Sequence, residues 1–225
     1  YTLYQSEARE EKIHPSVVST VRTVWKLVVG YTLLAFVLLF AAIRASEFGS
    51  DLPLWEAAWQ ALNHAMTGLT TGGFSVTDNS IATYDSALVE AVLLPIMILG
   101  AIAFPVHYLV LRDRDFGELL ADVQTRWLLA LLGIGVLVLS AQNVLSVSAT
   151  ASAFAPDSFL SFSVPGLSGP QLDAIRDSTF QWVSALTCTG FQSAPIGRWL
   201  AGAKVLVVGA MVLGGAAGST VGGIK

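Results

Sequence analysis

Charge is scarce in this sequence. Asp, Glu, Lys and Arg make up 12% of it, where a soluble domain carries about 25%, so a fully water-facing surface is excluded. One cysteine, Cys188, excludes an internal disulfide framework and any metal site built on several thiolates. The three histidines bring no second ligand at a supporting spacing, so neither His64 nor His107 reads as a metal site. A Gly-x-x-x-x-Gly-Lys-Ser/Thr phosphate loop is missing; Lys225 follows Ile224, not glycine. Ser219 stands in Ala-Gly-Ser-Thr, without the Gly-x-Ser-Gly setting of an intramembrane protease. No enzyme and no organic cofactor are expected. A net charge of −4 says little about a membrane protein, and nucleic acid is not an expected partner. The opening residues, Tyr1 to Lys12, are polar and charged, so no cleavable signal peptide is expected there.

What the sequence has in abundance is apolar surface: 54% hydrophobic residues and a mean hydropathy of +0.65. Val24 to Ile43, Ala87 to Leu111 and Trp127 to Leu145 are runs of about the 20 residues that cross a bilayer. Pro95 and Pro105 interrupt the second run, which a packed membrane helix accommodates by local adjustment. Between the spans lie two shorter amphipathic segments, Leu54–Gly68 and Leu172–Leu186. Neither is long enough to cross, and each reads as a re-entrant half-helix. Ser146 to Gln171 reads as an extended extramembrane connection.

Each half-helix runs into a polar, glycine-containing stretch: Thr67-Gly-Leu-Thr-Thr-Gly-Gly-Phe-Ser75 and Ser184-Ala-Leu-Thr-Cys-Thr-Gly-Phe-Gln192. Gly73 and Gly190 stand 117 positions apart (73 to 190). Non-helical backbone at membrane depth is tolerated only where protein buries it or where it lines a water-filled cavity. Thr/Gly-rich segments also serve close helix packing, but two copies, each after a short amphipathic segment, favour a pore. The expected architecture is an all-α membrane protein of repeated helix, half-helix, loop, helix units around a central ion pore. Residues 1–22 form a cytoplasmic lead-in, 23–118 a first unit and 119–225 a second.

The chemistry of the loops points to a cation. A half-helix C-terminus carries partial negative charge and unsatisfied carbonyls, and a loop of small residues can turn further carbonyls toward an ion. Thr70, Thr71, Gly72 and Gly73 in the first loop, with Thr187, Cys188, Thr189 and Gly190 in the second, are the expected ion-contacting set. The threonine hydroxyls add oxygen or anchor the loop; Phe74 and Phe191 wedge each loop against its own half-helix. His64 is expected to hydrogen-bond behind the loops and His107 to lie near the cytoplasmic interface. Asp78 reads equally as a cation attractor at the outer mouth or as an ordinary solvated carboxylate. Seven Lys and Arg (Arg9, Lys12, Arg22, Lys26, Arg112, Arg114, Arg126) lie on one side, against Arg44, Arg176 and Arg198 on the other. The positive-inside bias puts the first group in the cytoplasm and opens the loops outward.

After Ala201–Leu213 the sequence becomes Gly214, Gly215, Ala216, Ala217, Gly218, Ser219, Thr220, Val221, Gly222, Gly223. Glycine weakens helix by up to about 1 kcal/mol relative to alanine, so five in ten residues make continuous helix unfavourable. Such a segment is easily shifted by a partner, although it also fits a packing seam or a passive hinge.

Leu69-Thr-Thr-Gly-Gly-Phe-Ser75, Thr187-Cys-Thr-Gly-Phe191 and, most specifically, Gly214-Gly-Ala-Ala-Gly-Ser-Thr-Val-Gly-Gly-Ile-Lys225 resemble the potassium-translocating subunits of the Trk/Ktr/HKT superfamily, TrkH/KtrB-like. Glu10-Glu-Lys-Ile-His-Pro15 is similar to the family's second-repeat entry. The resemblance implies four helix–pore–helix repeats around one pore, with Gly73 and Gly190 as the filter glycines of repeats two and three. It implies that residues 214–223 form a gating loop under the filter and that K+ is the transported ion. It also implies a homodimer in the lipid bilayer of a prokaryotic inner (plasma) membrane, controlled by cytoplasmic nucleotide-binding subunits of the TrkA/KtrA kind. Two repeats cannot close a fourfold carbonyl ring, so the sequence is expected to be the middle of a longer polypeptide. A secondary transporter with broken helices moving Na+ or another small solute is the alternative. Sodium against potassium, and passive against coupled transport, stay open at this level.

Overall fold

The computed structural model describes residues 17–147 and 169–223. The polar lead-in through Pro15, most of the 146–171 connection, and Lys225 lie outside them. Among the described residues all regular structure is helical.

Helix α1 (Val17–Ala45) runs 29 residues, ample for a bilayer crossing. Its buried positions, Ala35, Leu39, Ala42 and Ile43, recur at helical spacing and face α3 (Leu54–Leu69). Leu33, Leu34, Val37 and Leu38 on its other side are exposed. Contiguous apolar area of that kind belongs against lipid or further protein.

The α1–α3 corner is closed by polar groups. Ser46 caps the short helix α2 (Glu47–Ser50), its Oγ accepting from the Gly49 N–H at 3.0 Å. The Arg44 guanidinium donates to the carbonyls of Gly49, Ser50 and Leu52 at 2.7, 3.1 and 2.9 Å, a cation meeting otherwise orphaned carbonyls at a helix end.

Helix α3 is 16 residues long, about 24 Å at 1.5 Å per residue, short of the roughly 30 Å hydrocarbon layer. Its packed face is Ala57, Ala61, Ala65 and Gly68 with Gln60 and His64. Small side chains let its backbone lie close to α1 and to α4 (Ala87–Ala101).

The run Ala87–Leu111 is not one straight span. Pro95 sits inside α4 without breaking it; the chain turns at Ile102–Ala103, and α5 (Phe104–Asp113) leaves at 102°. Pro105 occupies the first turn of α5, where a missing N–H is harmless. After the short α6 (Gly117–Ala121), helix α7 (Val123–Val147) extends 25 residues. It packs on α8 (Gly169–Leu186). Finally α9 (Ala201–Leu213) ends at Gly214, and residues 214–223 are not helical.

Two contacts lock α7 to α8. Asn143 Nδ2 donates to Ser178 Oγ at 2.9 Å, and Trp182 Nε1 donates to the Leu131 carbonyl at 3.1 Å. The Trp182 indole fills the space where a Cβ on Gly135 would stand. Gly135→Ala is therefore expected to destabilise the protein by about 1–3 kcal/mol, as overpacking does, and to lower its thermal unfolding midpoint in detergent. An unchanged midpoint would show that the indole relocates freely.

Candidate functional site: two matched loops and a glycine-rich segment

The loops after α3 and α8 are built by the same hydrogen bonds, displaced by 117 positions. At the end of α3 the Gly72 and Gly73 N–H groups both donate to the Thr67 carbonyl, at 2.8 and 3.3 Å. At the end of α8 the Thr189 and Gly190 N–H groups donate to the Ser184 carbonyl, at 2.9 and 3.3 Å. Thr67 Oγ1 donates to the Phe74 carbonyl at 2.9 Å and Ser184 Oγ to the Phe191 carbonyl at 2.7 Å. Thr70 and Thr187 donate back to Met66 and Val183, each at 2.8 Å. A short hydroxyl at 67 and 184 thus pins the far side of each loop to its own helix, a pairing that sequence reasoning missed although both residues stood in the quoted stretches.

Left-handed backbone recurs in register too. Thr71 and Gly73 have φ of +52° and +64°; Cys188 and Gly190 have +49° and +85°. A Cβ raises the energy of this conformation by roughly 1–2 kcal/mol, so Thr71 and Cys188 are held there by their surroundings. The Thr71 hydroxyl donates to the carbonyls of Thr70 and Thr220 at 2.8 and 3.1 Å. Cys188 Sγ donates to the Met211 carbonyl at 3.3 Å. Thr187 and Thr189 are buried and their hydroxyls lie 2.8 Å apart. All four threonines serve as anchors, while Thr70, Gly72 and Gly190 remain exposed.

The loops meet. A Cβ built on Gly73 would overlap the Thr189 carbonyl oxygen, and the Gly190 carbonyl carbon would lie 3.4 Å from it. Beyond the loops, the Ala82 N–H donates to the Gln192 carbonyl at 2.9 Å, and the Gln192 N–H to Ser80 Oγ at 3.1 Å. Phe191 is buried against the other loop's helix rather than wedged on its own. Its ring lies 3.4 Å from the Gly68 Cβ position and edge-on to His64 at 5.7 Å. Phe74 is 77% exposed, its ring lying beside Gly72 of its own loop. A sequence cannot reveal which helix a ring will pack on once two units are in contact.

Residues 214–223 dock at the base of the first loop. Thr220 Oγ1 donates to the Leu69 and Gly100 carbonyls at 3.1 and 2.8 Å, and its N–H donates to Gly100 at 3.2 Å. The Ala216 N–H reaches the Ala101 carbonyl at 3.2 Å, and the Phe104 N–H returns to the Gly218 carbonyl at 3.1 Å. Gln124 Oε1 accepts from the Ala217 N–H at 2.9 Å. Two helix breaks, at 102–103 and at 214, supply each other's missing partners. Gly214, Gly218 and Gly223 take positive φ; Ser219 turns back on Ala216 at 2.6 Å. Gly215 lies against Val221, and Gly222 has open space around it.

His107 belongs to this second junction. It is buried, with Nε2 2.9 Å from the Leu99 carbonyl and Nδ1 3.2 Å from the Tyr31 hydroxyl, so it caps the end of α4 at the elbow. Glu90, unremarked in the sequence, and Arg176, read there only as an outer-side charge, form a bidentate ion pair between α4 and α8 at 2.7 and 2.9 Å. Asp78 is exposed. Among the described residues no group of three or more His, Cys, Asp or Glu side chains could hold a metal ion.

Long apolar helices, two shorter ones ending in apposed non-helical loops, and a broken helix beneath them define an α-helical membrane protein. The chain belongs to the TrkH cation transport protein family, whose profile matches residues 1–225. It is 31% identical over its whole length to an uncharacterized cation transporter of Methanocaldococcus jannaschii, covering 38% of that protein. It is 28% identical to the Trk system potassium uptake protein TrkH of Escherichia coli, over 99% of this chain and 41% of the relative. The crystal structure of the potassium transporter TrkH from Vibrio parahaemolyticus superposes with a TM-score of 0.76 at 19% identity, over 99% of this chain and 41% of that one. The chain thus spans about two fifths of the length of these relatives.

Proposed function

We propose that the whole protein takes up potassium through a pore whose wall includes the loops 70–73 and 187–190. The observation that carries this reading is the repeated loop geometry: one hydrogen-bond pattern, one alternation of left-handed positions, and two loops in contact at Gly73 and Thr189. Loops of this composition supply the carbonyl and hydroxyl oxygens that can replace an ion's water shell. Relatives called Trk system potassium uptake proteins support K+ as the ion. The units 23–118 and 119–225 are then two of the repeats around the pore, with the loops opening outward. The protein works as a transporter, not an enzyme, in the plasma membrane of a prokaryote. It pairs as a homodimer and answers to cytoplasmic nucleotide-binding subunits.

Residues 214–223 act as the gate in this proposal, held shut in part by Thr220. Thr220→Val removes the hydroxyl that meets the Leu69 and Gly100 carbonyls and Thr71 Oγ1, a hydrogen bond being worth about 0.5–1.5 kcal/mol, and is expected to raise tracer flux about fivefold or more. Deleting 214–220 should raise it further. Unchanged flux in both variants would remove the gating role.

The deciding experiment is rubidium-tracer uptake into liposomes holding the full-length protein, with potassium or sodium as competitor. Competition by potassium well below the sodium concentration needed supports the reading; no uptake under any gradient ends it. The elbow at 102–103 favours one second reading, a broken-helix secondary transporter. That reading requires uptake to stop when an imposed proton or sodium gradient is collapsed.

A further inference from the structure

His64 is the side chain that reaches both loops. It is buried on the inner face of α3, and a polar ring there needs partners. Nε2 lies 3.0 Å from Ser75 Oγ, just past the first loop, and Ser75 Oγ lies 2.8 Å from Thr77 Oγ1. Thr77 Oγ1 donates to the Ser80 carbonyl at 2.6 Å. Ser80 in turn holds the second loop's exit, its hydroxyl accepting from the Gln192 N–H. On the other side of the ring, Nδ1 is 3.3 Å from the Tyr84 hydroxyl, which donates to Gln60 Oε1 at 2.6 Å. The imidazole edge also meets the Phe191 ring of the second loop.

The hydrogens along this chain follow the imidazole tautomer, but the contacts run without a gap from His64 through Ser75 and Thr77 to the Ser80 carbonyl. A buried ring at one end and the Gln192 backbone at the other tie a residue beside the first loop to a residue beside the second.

We propose that His64 is a positioning residue that sets the spacing of the two loops, and through that spacing the preference for potassium over sodium. The proposal rests on the filter reading above. An ion pathway that must match an ion's coordination distances tolerates little displacement of its oxygens, so a group that ties two loops at once controls discrimination more than throughput.

The test uses the full-length protein in liposomes, reading the sodium and potassium concentrations that halve rubidium uptake. His64→Leu keeps bulk but ends the chain of contacts, and is expected to reduce the potassium-over-sodium preference about tenfold, the weight of one buried polar contact. Maximal uptake per inserted protein should fall less. His64→Gln, whose amide can either donate to Ser75 or accept from it, should recover part of the preference. Ser80→Ala leaves the buried ring untouched, breaks the link to Gln192, and should shift the preference in the same direction. If His64→Leu fails to insert, Ser80→Ala decides. Wild-type preference retained in the inserted variants, or equal loss of both ions' competition with no change in ratio, overturns the proposal. A wild-type protein with no potassium preference overturns the filter reading itself and this inference with it.

Discussion

Gly73→Ser is expected to reduce potassium uptake by roughly a hundredfold or more, while Gly190→Ser keeps transport and loses mainly selectivity. The two glycines occupy matched positions and both have left-handed φ, so a side chain strains each by about 1–2 kcal/mol. Their surroundings differ. The Cβ of a residue at 73 would overlap the Thr189 carbonyl oxygen, whereas nothing lies within 4 Å of a Cβ at 190. Substitution at 73 must therefore push the second loop away, adding a backbone displacement to the local strain. Substitution at 190 adds a side chain at an open, exposed position. Rubidium uptake with sodium and potassium competitors, normalised to inserted protein, separates the two. Equal effects at both positions would show that φ alone matters and that the loops do not constrain each other.

The second large effect is on stability. Arg176→Met is expected to destabilise the protein by about 3–5 kcal/mol, because it leaves a buried carboxylate without its partner. Glu90 has a side chain only 5% exposed, and that of Arg176 is 12% exposed. Asp85, 3.5 Å from the guanidinium with a side chain 62% exposed, can turn to water and contributes little. The double variant Glu90→Leu, Arg176→Met should regain most of the loss, since a matched apolar pair restores packing without a stranded charge. Thermal unfolding of the full-length protein in detergent reads both. A midpoint unaffected by Arg176→Met would mean that α4 and α8 are held together without the pair.

Much of the fold was legible because membrane chains announce helices by length and polarity. Helix α3 emerged from an amphipathic segment too short to cross, and the end of α9 at Leu213 from the glycines that follow. The helical membrane class and the family followed from the same residues. Contacts at long separation were not legible. The elbow at 102–103 was hidden because prolines at 95 and 105 drew attention, while the chain turns between them at residues of no special chemistry. The Glu90–Arg176 pair joins residues 86 apart, and periodicity carries no sign of it. In the loops, the turn glycines could be read from conformational need, but the ring of Phe191 crossing to the other half-helix could not. That placement depends on how the two halves fit, a property of shape rather than of pattern.

The mutual dependence of the two helix breaks has a consequence for how the molecule is made. Thr220 and Gly100 are separated by 120 positions, so a ribosome makes the elbow's residues long before the segment that completes it exists. During that interval the Gly100 and Ala101 carbonyls have no Thr220 or Ala216 to receive, and a bend in hydrocarbon would leave them bare. A straight helix through 87–113 would not serve both, because the residue four past Ala101 is Pro105, which has no N–H to donate. The Ala101 carbonyl instead receives the Ala216 N–H, from the downstream half of the chain. The bend in the first half is in that sense completed by the second, and its geometry is a joint property of the two.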